Sequence, residues 1–467
     1  MKSFRLLTLS VFAAATVPRL AHRGMFVDGI TYASIARNLA EGRGRFWAPF
    51  YTATLYPEFH EHPPLGFWLQ SLWFRLFGDH LFVERAYAIA AAGATAGVIE
   101  LMWRRLNRES RARSYGWVPI LLWIIVPVVS WSIVGNLLET TVSLFTTAAI
   151  AAVVYALTGT STSASVGWGS LSGLCIVGAV LTKGPVGLFP LVAPVILLPS
   201  IAARGRRSVC VTAQWALVVL CLAALLLAST ARSSLTQYVN EQVLAAMGGR
   251  REVSASSLTI LKELLQGVAL PIAMACGLIA AAGRHFVPPS GERRSGAASM
   301  LLLGLAGTLP ILASAKQAGH YLVPAVPVYA IAAAEIMAPT TAFVVESVVA
   351  RKGTIVLNMA VAIILVATIG ASYVPAIGRD RQRLADLDRL EAIIPRGAIV
   401  GICPESNGDW GLHAWLERRF LVSLDAAGGQ QRSWFLKTGR DAACQPSQCA
   451  PVGESNRSLV LLKCTSR

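Results

Sequence analysis

Asp28, Glu58, His60, Glu61 and His62 crowd the starts of two short helical patterns near the N-terminus. A carboxylate there can take the proton of an attacking hydroxyl, and an imidazole can do the same or face an anion as a cation. The free N–H groups and dipole of a helix N-terminus also favour an anion. Pro63 and Pro64 remove two of those N–H groups, and His62 beside them would restore attraction to a phosphate. Plainer roles compete. Asp28 suits the N-cap of a helix over 29–41, and His60, Glu61 and His62 suit a solvated loop. Alternatively, His60 and Glu61 would hold a divalent metal ion with a ligand from elsewhere, since adjacent positions cannot all reach one ion. No other cofactor is called for.

Further candidates sit at the ends of apolar stretches. Glu139 opens one in NLLETTVSLF. A carboxylate inside a membrane costs roughly 2.5–3.5 kcal/mol, which makes it a functional candidate against the alternative of capping. Lys183 closes a stretch before Gly184 and Pro185, where snorkelling is the ordinary role. Lys316, His320 and Tyr321 lie where two apolar stretches meet and would face a phosphate. Arg250 and Arg251, after YVNEQVLAAMGG, read on their own as a solvated pair.

The elements that must position these residues are membrane helices. Of 467 residues, 54% are hydrophobic and only 14% charged. The mean hydropathy is +0.56. A soluble domain carries about 25% charged residues, so a water-soluble enzyme and a disordered chain are both excluded. Eleven spans are expected, over 6–21, 83–102, 117–134, 137–157, 168–182, 186–202, 209–229, 258–282, 298–314, 320–340 and 354–374. The net charge of +16 fits basic cytoplasmic loops rather than nucleic acid, because no basic run is interleaved with aromatics. Arg104, Arg105, Arg108, Arg111 and Arg113, then Arg204, Arg206 and Arg207, then Arg284, Arg293 and Arg294, then Arg351 and Lys352 share one side if the N-terminus is cytoplasmic. An odd number of spans then puts the C-terminus outside.

Two long segments lie on that outer side. The first, about 22–82, holds helices over 29–41 and 63–77, both expected to lie along the membrane surface. The second helix carries Leu65, Trp68, Leu69, Leu72, Trp73, Leu76 and Phe77 on one stripe. The other segment is the tail, 375–467. A helical pattern over 384–394 and apolar runs at 398–402 and 459–462 suggest a small α/β domain. Cys403, Cys444, Cys449 and Cys464 all fall in this tail and suggest two disulfides in an oxidising compartment. Pairing Cys403 with Cys464 and Cys444 with Cys449 is one of three connectivities. The expected division is thus 1–374, a membrane domain including the 22–82 loop, and 375–467, an extracytoplasmic domain.

Asp28 followed by YASIARNLAEG (32–42), FHEHPPLGFWLQ (59–70), LFGDHLFVERAY (76–87), LTKGPVGLFP (181–190) and HYLVPAVP (320–327) together resemble a known group. The chain is similar to the polyprenyl-phosphate-sugar-dependent glycosyltransferases of the C-type membrane fold, which include protein O-mannosyltransferases and bacterial aminoarabinose transferases. The resemblance implies an all-α polytopic transferase of the bacterial plasma membrane. It would move a hexose or pentose from a polyprenyl-phosphate donor to a lipid, glycan or protein hydroxyl on the outer side. It implies that Asp28 acts at the acceptor and lifts Arg250 and Arg251 into the site. Two positions depart from the group's pattern: His62 stands where a Lys is usual before the paired prolines, and Gly29 where a second acid is usual.

The chemistry suits these residue types. Asp28 would be the base for the acceptor hydroxyl, and the anomeric carbon would invert on direct displacement. The leaving phosphate gains charge and needs preorganised donors, for which His62, Lys183, Arg250 or Arg251, Lys316 and His320 are available. The tail would help select the acceptor, or act only as a structural lid. The rival function is a secondary transporter or lipid flippase, which would favour midplane sites and internal repeats; no repeat is evident.

Overall fold

Apolar runs of about 20 residues in a membrane must satisfy their backbone internally, so this composition dictates helices. The computed structural model describes residues 1–197, 204–250, 253–254, 256–350, 353–428, 432–439, 444, 448–452 and 459–465, and for 204–207 the backbone alone. Among the described residues, eight helical segments are long and apolar enough to cross a membrane. A ninth is formed if the bent pair Arg111–Ile124 and Pro127–Val134 counts as one span. The chain is an all-α polytopic membrane protein with a small C-terminal sheet domain. The contacts divide it into two compact units: 1–21, 61–66 and 85–374 in one, and 22–60, 67–84 and 375–467 in the other.

In the first unit, α1 (Lys2–Leu20) forms over the first expected span, although Lys2, Arg5 and Arg19 keep it outside the eight. In chain order, α2 (Val27–Ala40) and α3 (Leu65–Phe77) are the two loop helices, and α4 (Val83–Leu106) resumes the spans. The third expected span is broken. Pro127 starts α6 (Pro127–Val134) at 77° to the preceding segment, which ends with α5 (Trp117–Ile124). The span α7 (Leu138–Thr158) comes next, then α8 (Thr162–Lys183). At Gly184, with φ +78°, the chain turns back. The turn brings Gly187 against Ala179, where an added Cβ would come within 2.6 Å of the Ala179 methyl. The chain continues as 3-10 helix over Gly184–Val192 and a short α9 (Ala193–Ile196). The expected spans 168–182 and 186–202 are therefore an α-helix and an irregular return, and 198–202 lie outside the described residues.

The remaining spans are α10 (Arg204–Leu227), α12 (Thr259–Ala282), α13 (Gly291–Thr308), α14 (Val326–Ala350) and α15 (Thr354–Ser372), with α11 (Ser229–Tyr238) after α10. Their shared core centres on Trp103, Trp123, Ile99, Met102 and Leu122. Leu220, Leu265, Ile272, Val366 and Ile369 point outward. Such broad apolar exposure is stable only against lipid.

The second unit is built on a five-stranded sheet of order β4-β3-β5-β7-β6. After the two-residue pair β1 (Gly44–Arg45) and β2 (Ala48–Pro49), the strands are β3 (Ile399–Ile402), β4 (Ser423–Asp425), β5 (Trp434–Thr438), β6 (Cys449–Pro451) and β7 (Leu459–Cys464). β3 runs parallel to β4 and β5, with Val400 opposite Leu424. β7 is antiparallel to β5 and β6. Helices α16 (Arg381–Leu390) and α17 (Trp410–Phe420) cover it, and the core packs Leu387, Val400, Trp415, Leu416 and Leu436 together. Disulfides join Cys403 to Cys444 and Cys449 to Cys464, rather than Cys403 to Cys464 and Cys444 to Cys449. Cys449 and Cys464 are cross-strand partners, so the β6–β7 register brings them together.

Met25 and Ile30 of the first loop belong to this same core. The loop segments thus group with the tail, where sequence alone assigned them to the 1–374 portion. α2 is enclosed on most sides, with Ile30, Ala33, Ile35 and Ala36 all buried. In α3 the expected stripe is the outward one: Trp68, Leu76 and Phe77 are exposed while Phe67, Gln70, Ser71 and Phe74 are buried.

Candidate active site

The residues with most chemistry in the first unit meet where α7 starts and α8 ends. Asn136, at φ +53°, makes a left-handed turn between α6 and α7, a conformation Asn tolerates better than most residues. That turn puts Glu139 in the first turn of α7, where the helix dipole favours a carboxylate. Lys183 is the last residue of α8, where the dipole favours a cation. Lys183 Nζ donates to Glu139 Oε1 at 2.6 Å, with the carboxylate 1% and the ammonium 10% exposed. His320 Nε2 lies 3.5 Å from the same oxygen. Glu139 Oε2 has no hydrogen-bond partner among the described residues.

Aromatic rings and one hydroxyl hold this group in place. The Tyr321 ring centre lies 5.5 Å from Lys183 Nζ, a cation–π distance. The His320 ring packs edge-on to Tyr321 at 4.7 Å and near Trp131 at 5.7 Å. Tyr238 of α11 donates its hydroxyl proton to the Lys183 carbonyl at 3.2 Å and occupies the space where any side chain at Gly184 would point. Charges held in so dry a place are strong but dependent on one another: removing one partner of a buried pair costs about 3–5 kcal/mol.

A loop beside His320 brings two more candidates near one another in the backbone. Ala315 N donates to Ala246 O at 3.3 Å and Ser254 N to Ala315 O at 2.9 Å. Gln317, buried, accepts from Ile260 N and donates to Ser257 O and Ser314 O. Lys316 is therefore held in a stitched turn, and Arg250 leaves the adjoining Gly248–Gly249 turn with its side chain exposed. Arg251 lies outside the described residues.

The loop acids take other positions. Asp28 is not the N-cap expected of it. Phe26 is, and Asp28 sits half-buried inside the first turn of α2, where the dipole still favours its charge. Gly42 and Gly78 adopt positive φ just beyond the ends of α2 and α3, as helix stops should. Glu61 and His62 are half-buried in the irregular stretch before α3, which starts at Leu65. His60 is buried, with Nε2 3.6 Å from Glu58 Oε2. Among the described residues, the group of three close ligand atoms is Cys403, Glu405 and Cys444, and its cysteines are joined to each other.

The structure thus gathers Glu139, Lys183, His320 and Tyr321, and neighbours Lys316 with Arg250. Asp28 and His60 belong to the other unit. Sequence reasoning missed Tyr238 and Trp131. The spacing of Ala231, Ser234 and Tyr238, the buried face of α11, was the available signal for Tyr238.

Fold and site together define a polytopic helical protein with a buried acid–base and cation cluster at one end of its spans. Residues 61–231 match the family described as dolichyl-phosphate-mannose-protein mannosyltransferase. The chain is similar to the undecaprenyl phosphate-alpha-4-amino-4-deoxy-L-arabinose arabinosyl transferase of Shewanella sediminis (strain HAW-EB3), 30% identical over 162 residues. That alignment covers 34% of this chain and 28% of the relative. The enzyme of the same name from Serratia proteamaculans (strain 568) is 28% identical over 184 residues, or 38% of this chain and 31% of the relative. The chain therefore spans under a third of each of these relatives in alignment. In fold the likeness is nearly complete. ArnT from Cupriavidus metallidurans, solved bound to undecaprenyl phosphate, superposes with a TM-score of 0.68 at 16% identity, over 98% of this chain and 97% of that one. The oligosaccharyltransferase of Archaeoglobus fulgidus gives a TM-score of 0.59 at 14% identity, over 92% of this chain and 65% of that one. The chain thus shares its fold with ArnT over nearly its whole length and with the oligosaccharyltransferase over most of it.

Proposed function

We propose that the protein is a membrane glycosyltransferase that moves a sugar from a polyprenyl-phosphate donor to an acceptor hydroxyl with inversion. The observation that carries this reading is the buried Glu139–Lys183–His320 cluster on a fold shared with an enzyme solved holding undecaprenyl phosphate. Lys183 and His320 hold the donor phosphate and stabilise the charge it gains as the anomeric C–O bond breaks. Glu139 orients both. Tyr321 keeps water from the ammonium, and Lys316, Arg250, Arg251 and His62 add positive potential to the phosphate path. Asp28 takes the proton of the acceptor hydroxyl, with Glu61 beside the donor head group. The names of the curated relatives favour a pentose carrying an amino group as the sugar.

The sidedness is part of the same proposal. Arg105 bonds Thr158 at the far end of α7, and Arg5 and Arg104 share Glu100 nearby. Glu139 and Thr158 are 19 residues apart on one helix, about 28 Å. That is about one hydrocarbon thickness. An arginine belt at that end supports a cytoplasmic face there, with the site on the opposite face of a bacterial inner membrane. The two tail disulfides agree with an oxidising outer compartment. Purified protein incubated with a polyprenyl-phosphate pentose and with a hexose donor tests the reading. Release of polyprenyl phosphate with a glycosylated acceptor is expected; intact donor in every case overturns it.

A further inference from the structure

The tail carries a buried charge network that the proposed reaction does not use. Its two central residues are adjacent on α17. Glu417, fully buried, accepts through Oε1 from Arg37 Nη2 at 3.3 Å and Asn38 Nδ2 at 3.1 Å, both on α2. The Glu417 carbonyl takes a further bond from Arg37 Nη2 at 3.0 Å. Arg418 pairs with Asp79 and, at 3.2 Å, with Glu84, and donates to the His80 carbonyl at 3.2 Å. Arg37, Arg418 and Glu84 are each at most 3% exposed. Asn38 also donates to the Phe50 and Tyr51 carbonyls.

This network grips one end of α2, and the tail grips the other. Met25 and Ile30 sit in the core with Trp415 and Leu416. The Arg379 guanidinium lies 5.4 Å over the Phe26 ring. Asp28 lies within the second of these grips, between Phe26 and Ile30, on the helix that Glu417 holds at its other end. A solvent-exposed lid would need neither buried ion pairs nor a shared core. A buried ionic pair is a weak source of net stability, and its best-attested use is to fix one register of two elements.

We propose that Glu417 and Arg418 are positioning residues: α17 of the tail sets the placement of α2, and through it the Asp28 carboxylate. The tail is then part of the catalytic apparatus. This inference rests on the reading of Asp28 as the base.

Glu417→Ala, in the full-length protein in membranes, should lower kcat at least about tenfold per folded molecule while leaving the donor KM within about twofold, because only the base is displaced. Glu417→Gln keeps an acceptor for Arg37 and Asn38 and should recover kcat to within about threefold. Hydrogen exchange over 27–40 should speed up in Glu417→Ala and not in Glu417→Gln. A folded Glu417→Ala with unchanged kcat, or with unchanged exchange over 27–40, overturns the proposal. If the alanine variant does not accumulate, Glu417→Asp, one methylene shorter, decides by the same readouts. If the wild type itself turns over no donor, the reading of Asp28 fails, while the exchange arm still reports whether α17 holds α2.

Discussion

At the scale of single residues, the site is a set of charges that depend on one another. The proposed base, Asp28, is a carboxylate in the first turn of α2, and a positioned base is worth about 10²–10⁴ in rate. Asp28→Asn keeps the shape and is expected to cut transfer by at least about a hundredfold, with insertion and melting temperature unchanged. Transfer at the wild-type rate in that variant would remove Asp28 from the mechanism. Lys183 and Glu139 answer to a different test. Lys183→Met strands a carboxylate that is 1% exposed. It should lose both stability, by about 3–5 kcal/mol, and donor turnover. Adding Glu139→Gln should restore the stability without the turnover. Thermal melts beside donor-release assays separate the two, and a double variant no more stable than Lys183→Met would refute the pairing.

At the scale of elements, the end of α8 is the most constrained point. Gly184 has φ +78° and ψ −143°, a region open almost only to glycine. A side chain there would also run into the Tyr238 hydroxyl that bonds the Lys183 carbonyl. Gly184→Ala is therefore expected to destabilise by at least about 1–3 kcal/mol and to raise the donor KM, because it moves Lys183. Tyr238→Phe removes only the hydrogen bond and should cost about 1 kcal/mol. Melting curves and donor titrations check both, and an alanine variant with wild-type KM would show that this turn does not set Lys183. α3 teaches a different point. Its periodic stripe faces outward because periodicity detects an apolar face whether that face meets protein or lipid.

At the scale of the whole molecule, two chemical levers act on the second unit. Burial pushes the Glu417 carboxyl up to about 7 against the bonds from Asn38 and the charge of Arg37, which pull it down. A carboxyl raised in the folded state contributes stability that is fully present below its unfolded value, near 4.5, and is lost as pH rises through about 7. The loss amounts to roughly 3 kcal/mol by linkage. Melting of the wild type should therefore weaken on going from about pH 5 to about pH 8, and Glu417→Gln should flatten that slope. An identical slope in the variant would place the titration elsewhere. Reduction is the second lever. Breaking the Cys403–Cys444 and Cys449–Cys464 bonds should cost about 2–5 kcal/mol each, seen as earlier melting of the tail in reductant.

Much of this was legible in the chain alone. Hydropathy determined the membrane class, the helices α2 and α3 and most span positions, because apolar length is a local property. The four late cysteines marked a disulfide-bearing tail, and Lys183, Glu139, His320 and Tyr321 stood out as costly or well-placed polar residues. What sequence could not decide was partnership. Lys183 meets Glu139 across 44 residues, and Arg37 meets Glu417 across 380. Hydrophobic periodicity says which side of a helix is apolar, not which distant side chain it will face. The disulfide pairing, the turn at Gly184 packed against Tyr238, and the joining of the first loop to the tail all arise from packing of elements far apart in the chain. Tertiary structure decided them because a buried charge is tolerable only where a partner is brought to it.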